Sequence, residues 1–174
     1  MAELSPTGRV ILGMIRLGRR TGYDIKQLVD VSARFFWTAS YGQIYPELKR
    51  LEGAGLVVGE AEPTGGRART VYSLTAAGEE ALDAWLGAGG ELVHELRDEA
   101  LLKLFFSPDA DPAAVRELAR ASRLRSEDMS ERLRALGPLD PDPAPGPALV
   151  RRFGIEMNDW MAQWWARVEE ADRA

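Results

Sequence analysis

Apolar positions along the chain fall first into helical stripes, then into a short ribbon-like stretch, then into helical stripes again. Val10, Ile11, Met14 and Ile15 recur at helical spacing behind Ser5-Pro6, a serine suited to cap a helix and a proline suited to its first position. Gly18 is placed to stop that helix. Thr21-Gly22-Tyr23-Asp24 has the form of a capping box with Asp where Glu or Gln is usual, and Ile25, Leu28, Val29 and Ser32 give a second inner stripe ending near Phe35-Phe36-Trp37. Ser40-Tyr41-Gly42-Gln43 is a further capping box. Behind it Ile44, Leu48 and Leu51 lie within about 60° of one another, at about 100° of rotation per residue, and predict a helix closed by Gly55. Its opposite side carries Gly42, Lys49 and Arg50, with Gln43 and Tyr45 on the flanks. Pro46 fits poorly past a first turn, because it removes a backbone donor and crowds the carbonyl of Gly42. The expectation is a kinked or widened first turn, or a helix that starts late, near Gln43.

Leu56-Val57-Val58 opens a strand running to about Glu62. Pro63-Thr64-Gly65-Gly66 is turn chemistry, and Arg69-Thr70-Val71-Tyr72-Ser73-Leu74 is the returning strand. Thr75 caps another helix, with Leu82, Trp85 and Leu86 on one face and Gly87 at its close. After Gly89-Gly90, residues 91–106 read as an amphipathic helix with Val93, Leu96, Ala100, Leu101, Leu104 and Phe105 inward. Asp111-Pro112 starts the next, whose Val115, Leu118, Ala119, Ser122, Met129, Leu133 and Leu136 keep roughly heptad spacing. Pro138, Pro141, Pro143, Pro145 and Pro147 mark 137–148 as a linker. The last helix carries Val150, Phe153, Met157, Trp160, Met161, Trp164 and Val168, a stripe too wide and aromatic to stand alone in water. The fold class is therefore mainly α with a small β-ribbon. Residues 1–88 are expected to form a helix-and-ribbon domain of winged helix-turn-helix outline, and residues 89–174 a helical domain whose aromatic last helix points to dimerisation or an effector.

Composition removes several classes. The 174 residues hold no Cys and a single His, His94, so no disulfide framework, thiolate metal site, cysteine nucleophile or His cluster exists. No Ser/His/Asp set, metal spacing or phosphate loop is present, and neither enzyme, metal nor cofactor is expected. No run of about 18 apolar residues or signal-peptide core appears, so a cytoplasmic protein without membrane contact is expected. The net charge of −5 argues mildly against nucleic acid, but it is uneven. Ser5–Thr75 holds 10 Lys/Arg against 6 Asp/Glu, a balance of +4, whereas Gly87 to the end holds 12 against 17, a balance of −5. Local charge governs attraction to phosphates, since charges beyond about 8–10 Å are largely screened. The acidic group Glu95, Asp98 and Glu99 reads as a solvated helix face, and Trp37 and Trp85 as core residues.

Helix followed by ribbon is how a winged helix presents a DNA-reading helix beside its wing, yet an ordinary amphipathic helix in a small α/β core has the same outline. Residue identities separate the two. Thr21-Gly22-Tyr23-Asp24-Ile25, Tyr41-Gly42-Gln43-Ile44-Tyr45-Pro46-Glu47-Leu48-Lys49-Arg50-Leu51-Glu52, Gly55-Leu56-Val57, Gly66-Arg67 and Tyr72-Ser73-Leu74-Thr75-Ala76-Ala77-Gly78 together strongly resemble the PadR family of bacterial transcriptional regulators. The resemblance is dense from about Leu4 to Leu86 and looser beyond, where the chain resembles the larger PadR subgroup with a long helical C-terminal domain.

The resemblance implies a homodimer bound to a palindromic DNA operator, usually as a repressor. It places the recognition helix at Ser40–Ala54, with Ser40, Tyr41, Gln43, Tyr45, Lys49 and Arg50 toward DNA, Tyr23 and Lys26 near phosphates, and Gly66, Arg67 and Arg69 in the wing. Gln43 and Arg50 have the chemistry to read base edges, whereas Tyr23, Tyr45, Lys26, Lys49 and Arg67 suit phosphates. Ala68 between Arg67 and Arg69, with Glu60 and Glu62 on the outgoing strand, departs from the more basic wings of the family. Phe153, Met157, Trp160, Met161 and Trp164 read as a dimer core, packing on 91–106 and 112–136 of the same or the partner subunit. The sharper reading is a pocket for a small aromatic effector, since PadR-like proteins are associated with phenolic acids or drug-like ligands. The competing function is a winged-helix protein-interaction module with the acidic C-terminal half as its binding face.

Overall fold

The computed structural model describes residues 4–29, 41–63, 69–89, 96–107, 111–136 and 145–171. These divide into two units, Met1–Glu91 and Leu92–Ala174.

Local chemistry starts each helix of the first unit. Ser5 Oγ accepts the Gly8 amide at 2.9 Å and begins α1 (Pro6–Arg16). Thr21 Oγ1 accepts the Asp24 amide at 3.1 Å and begins α2 (Gly22–Leu28). Thr75 Oγ1 accepts the Gly78 amide at 3.1 Å and begins α4 (Ala76–Gly87). Between them, α3 runs Ile44–Gly53 behind a short 3₁₀ turn at Tyr41–Gln43. It stops at Gly55, whose φ of +70° suits glycine, and the Leu56 amide reaches back to the Leu51 carbonyl at 2.9 Å. The strands β1 (Val57–Glu62) and β2 (Arg69–Leu74) pair antiparallel from Val57–Leu74 out to Glu62–Arg69.

The inward stripes meet in one core. Ile11, Leu12 and Ile15 of α1, Ile25 of α2, Ile44, Leu48 and Leu51 of α3, Val57 of β1 and Leu82 of α4 are buried together. Fully burying one such side chain is worth about 1.5–3 kcal/mol, so this cluster holds the unit together. Two close approaches lock α4 and the ribbon onto it. Thr75 Oγ1 donates to the Gly55 carbonyl at 2.7 Å, and a Cβ on Gly78 would lie 2.0 Å from the Leu56 carbonyl oxygen. The connection between α1 and α2 also runs beside β2, where the Tyr72 amide donates to the Arg20 carbonyl at 2.7 Å and Arg20 Nε returns to the Tyr72 carbonyl at 3.2 Å. Trp85 was expected in this core. It is instead 40% exposed, with the Arg9 guanidinium 5.6 Å from its ring centroid, a cation–π contact on the surface of α4.

The second unit is an antiparallel hairpin of α6 (Pro112–Ala135) and α7 (Pro145–Ala171), preceded by α5 (Glu99–Phe105). Asp111 Oδ1 caps α6 through the Ala113 amide at 2.9 Å. Ties between the two long helices run Arg123 to Glu169 at 3.1 Å, Ser130 to Asp159 at 2.5 Å and Arg151 to the Leu136 carbonyl. The facing positions are mostly small or polar, Ala119, Ser122, Ser126 and Ser130 on α6 with Gly154, Asn158 and Ala162 on α7, and two large side chains, Leu133 and Trp165, are sealed among them.

Several expectations change here. Of the helix read over 91–106, residues 91–95, Val93 and Glu95 among them, lie outside the described residues, and α5 begins at Glu99, because Asp98 Oδ1 accepts the Ala100 and Leu101 amides and acts as its cap. Asp98 is therefore no solvated acid: its side chain is 7% exposed and pairs with Arg125 at 2.9 Å. Burial pushes its carboxyl pKa up, but the Arg125 hydrogen bond and the two amides outweigh that and hold it below the usual range. Leu96 and Phe105, expected inward, are exposed. The linker read over 137–148 ends sooner, since Pro145–Ala148 belong to the first turn of α7, where a missing amide donor costs nothing. Ser32, the cluster Phe35-Phe36-Trp37, His94 and residues 137–144 lie outside the described residues. Among the described residues, no helix is long and apolar enough to cross a membrane.

Candidate nucleic-acid interface

The start of α3 resolves the position of Pro46. Gln43, expected as the third residue of a capped helix, is itself the residue at the cap and makes no side-chain cap bond. The α-helix therefore begins four residues later than the Ser40 start, and Pro46 becomes its third residue. The first four amides of a helix have no internal partner, so the missing N–H of Pro46 removes nothing. Of the two expectations, the late start near Gln43 is the one observed, and the turn before it is a 3₁₀ turn, tighter rather than widened.

With Ile44, Leu48 and Leu51 turned inward, α3 presents Lys49 and Arg50 outward, and Gln43 and Tyr45 are also exposed. Tyr45 stands at the N-terminus of α2. A Cβ on Gly22 would meet its Cε1 at 2.6 Å, so glycine is what lets the ring lie there, while Tyr45 stays 56% exposed. Tyr23 and Lys26 are exposed on the same short helix, and the Tyr23 hydroxyl accepts from Gln27 at 2.7 Å. The fold thus brings Tyr45 of α3 against α2, next to Tyr23.

Arg50 is held by its own helix. Its Nε donates to Glu47 Oε2 at 2.8 Å and its Nη2 to Glu47 Oε1 at 2.7 Å. The Ser5 hydroxyl donates to the same carboxylate, so the cap of α1 is tied to the outer face of α3. Hydrogen bonding from Arg50, then from Ser5, keeps the Glu47 carboxyl below its ordinary range despite burial. The same pairing raises the Arg50 guanidinium. On the ribbon, Arg69 Nε pairs with Glu62 across the strands at 2.6 Å. Ser40, Gly66 and Arg67 lie outside the described residues, as does the side chain of Tyr41. Sequence reasoning missed the Glu47 clamp, although an acid three residues before an arginine is a readable helical pair. It also missed Arg20 beside β2, for which no local pattern exists.

The aromatic stripe of the second unit sits elsewhere than the α6 seam. Phe153 and Trp160 are 56% and 58% exposed, and Met157, Met161 and Trp164 are half-buried. The side of α7 buried against α6 is Gly154, Asn158, Ala162 and Trp165, rotated from the stripe by roughly 110° at 100° per residue. Trp164 makes an edge-to-face contact with Trp165, at 4.8 Å between centroids. Within one chain, then, Phe153 and Trp160 stay exposed rather than sealed against α6.

Helices α1 to α3, with α3 turning a basic face outward, and a two-stranded ribbon directly after it make a winged helix-turn-helix of the kind found in DNA-binding transcriptional regulators. Residues 11–84 match the transcriptional regulator PadR-like family, and residues 96–171 match the virulence activator alpha C-terminal family. Over residues 11–84 the chain is thus similar to the PadR-like transcriptional regulators, a family of regulators and not of enzymes.

Three relatives illustrate the likeness. The negative transcriptional regulator PadR of Bacillus subtilis is 35% identical over 97 residues, which is 55% of this chain and only 53% of that protein. Its structure in complex with operator DNA superposes with a TM-score of 0.78 at 25% identity, over 94% of this chain and 97% of that one. Its structure with p-coumaric acid gives 0.70 at 24%, over 95% and 98%. The PadR-like regulator BC1756 of Bacillus cereus gives 0.86 at 22%, over 99% of both chains. The regulator Rv1176c of Mycobacterium tuberculosis is 28% identical over 168 residues, 87% of this chain and 89% of that one.

Proposed function

We propose that the protein is a homodimeric repressor that reads a palindromic DNA operator through α3. Residues 1–88 bind DNA, and residues 89–174 pair two copies. Gln43 and Arg50 meet base edges. Tyr23, Lys26, Ser40, Tyr41, Tyr45 and Lys49 meet the backbone near them, with Gly66, Arg67 and Arg69 approaching from the wing. The observation that carries this reading is the outer face of α3, with Lys49 and Arg50 exposed and Tyr45 lying at the N-terminus of α2, where Tyr23 and Lys26 are also exposed. A relative crystallised on operator DNA supports it. The name of that relative, a negative regulator, supports repression. Two recognition helices about 34 Å apart would enter successive major grooves. A small aromatic effector, of the class seen with the Bacillus subtilis protein, would release DNA by binding one arrangement of the two copies better than the other.

The direct test is titration of the protein onto DNA from the region upstream of its own gene, at several salt concentrations. Binding should weaken steeply with salt, because each phosphate contact releases counterions. The double variant Lys49→Ala/Arg67→Ala should bind at least about tenfold more weakly at low salt and with a shallower salt dependence. Wild-type affinity in that variant would remove α3 and the wing as the interface. A second reading, a protein-interaction module, draws on the ion pairs Arg50–Glu47 and Arg69–Glu62, which cancel charge on the outer face. It predicts no salt-dependent DNA binding at all.

A further inference from the structure

We infer that Glu47 sets sequence discrimination in this protein: it clamps one edge of the Arg50 guanidinium and thereby presents the other edge to a guanine. The inference rests on the DNA-binding reading above, and it assigns a positioning role to a carboxylate on the helix proposed to read DNA.

The geometry carries it. A guanidinium has five N–H donors and two edges that can each serve a pair of acceptors, one made by Nε and Nη2, the other by Nη1 and Nη2. Glu47 occupies the first edge with both its oxygens, at 2.8 and 2.7 Å. The end-on edge remains open, and the Arg50 side chain is 43% exposed. That edge is the one that fits the O6 and N7 acceptors of guanine in the major groove.

Glu47 is itself immobilised. Its side chain is only 12% exposed, and the Ser5 hydroxyl holds it from the side of α1 while Ser5 Oγ also caps that helix. The space it fills is made by Gly8, where a Cβ would lie 2.8 Å from Glu47 Oε1 and 3.5 Å from Arg50 Nη2. A clamped arginine has lost its rotamer freedom before DNA arrives, so base contact costs less and only one orientation is offered. The pair is also neutral, so Arg50 adds little to sequence-independent attraction for phosphates. Arg69 lacks this arrangement: its partner Glu62 is half-exposed and nothing else in the described residues holds that acid.

The consequence runs against the usual effect of removing a contact. In E47Q the guanidinium keeps its charge but loses its clamp. It should then swing to phosphates, steepening the salt dependence of binding by about 0.9 in log–log slope. Sequence-independent DNA should be bound more tightly, while the preference for one guanine over adenine falls about tenfold, the scale of one bidentate base contact. R50K keeps the charge without a two-pronged edge, so it should lose the same guanine with the salt slope unchanged.

The experiment is selection from a random duplex pool at about 0.1 M salt, a Debye length of about 10 Å, followed by salt titration of the selected duplex and its guanine-to-adenine variant. Wild type, E47Q and R50K are compared, with thermal melts to show that each is folded. The inference expects a guanine in the wild-type consensus that is lost in both variants, with a steeper slope in E47Q alone. A general weakening through misfolding would not raise sequence-independent binding, so the two causes separate. An unchanged consensus and slope in folded E47Q overturns the inference. If E47Q does not fold, R50K decides it, and an intact guanine preference in R50K overturns it equally. Failure of the wild type to enrich any sequence overturns the DNA-binding reading and this inference with it, a result told apart because no arm of the experiment then selects DNA.

Discussion

In residues 1–91 the large apolar side chains Ile11, Leu12, Ile25, Leu48, Leu51 and Leu82 are sealed, and helices and ribbon close around them. In residues 92–174 the buried set is Ala119, Leu133, Ala162 and Trp165, with Ser122, Ser126, Ser130 and Asn158 among them. There the large apolar groups lie outside: Phe105, Phe106, Leu149, Phe153 and Trp160 are all exposed. The first unit buries a cluster of large aliphatic side chains drawn from its helices and ribbon. The second packs two long helices through small residues, which lets their backbones approach, and turns its aromatic faces away from that seam. Exposed apolar area of this kind marks an interaction surface in a soluble chain. In the proposed homodimer a second copy covers it, so the sealed unit reads DNA and the open unit sets how two such units are held.

The largest expected effect tests the bulkiest residue in the second unit's seam. Trp165 is 1% exposed, and Trp165→Ala should destabilise the α6–α7 hairpin by about 3–5 kcal/mol, measured by denaturant melts of the whole protein. Leu48→Ala in the first unit should cost about 2–5 kcal/mol in the same assay. Next comes the open face. Phe153→Asp/Trp160→Asp should leave the hairpin helical by circular dichroism, abolish self-association in sedimentation, and weaken operator binding about a hundredfold through lost avidity. An unchanged dimer would move the interface elsewhere. Gly78→Ala, forced toward the Leu56 carbonyl, should cost about 1–3 kcal/mol, confined to melts of the first unit.

Acid should act on both units. The carboxyls of Glu47 and Asp98 are held below their ordinary range, so each stabilises the fold fully above the unfolded value, about 4. That stabilisation disappears as pH falls through the lower folded values. E47Q and D98N should each flatten the melting-temperature profile below about pH 4. The smallest effect is expected at Arg69: its exposed pair with Glu62 should be worth less than about 1 kcal/mol, so Arg69→Ala should barely shift the melt.

What the chain discloses by itself depends on how local the determinant is. Ser5, Thr21, Thr75 and Asp111 cap as read, because a cap is settled by bonds to amides two or three residues on. The strands Val57–Glu62 and Arg69–Leu74 follow from their composition and the turn chemistry between them. Pro46 was readable only as a conflict, and the 3₁₀ turn before Ile44 resolves it. On α7, periodicity located the apolar residues but not their partner, since the face toward α6 is chosen by which residues are small enough for close approach. Asp98 looked solvated because its partner, Arg125, is distant in sequence. At α3 the exposed basic face was legible. The link from Glu47 to Ser5 depends on how α1 crosses α3, which no pattern in either segment states.

The central claim is that two copies bind one DNA site, each through its own α3. Sedimentation of the protein with its selected duplex, at saturating and limiting protein, tests it most directly. The account predicts a complex holding two 19.2 kDa chains per duplex, formed cooperatively, with no stable complex of one chain. A single chain bound to the duplex with full affinity and full salt dependence would contradict it.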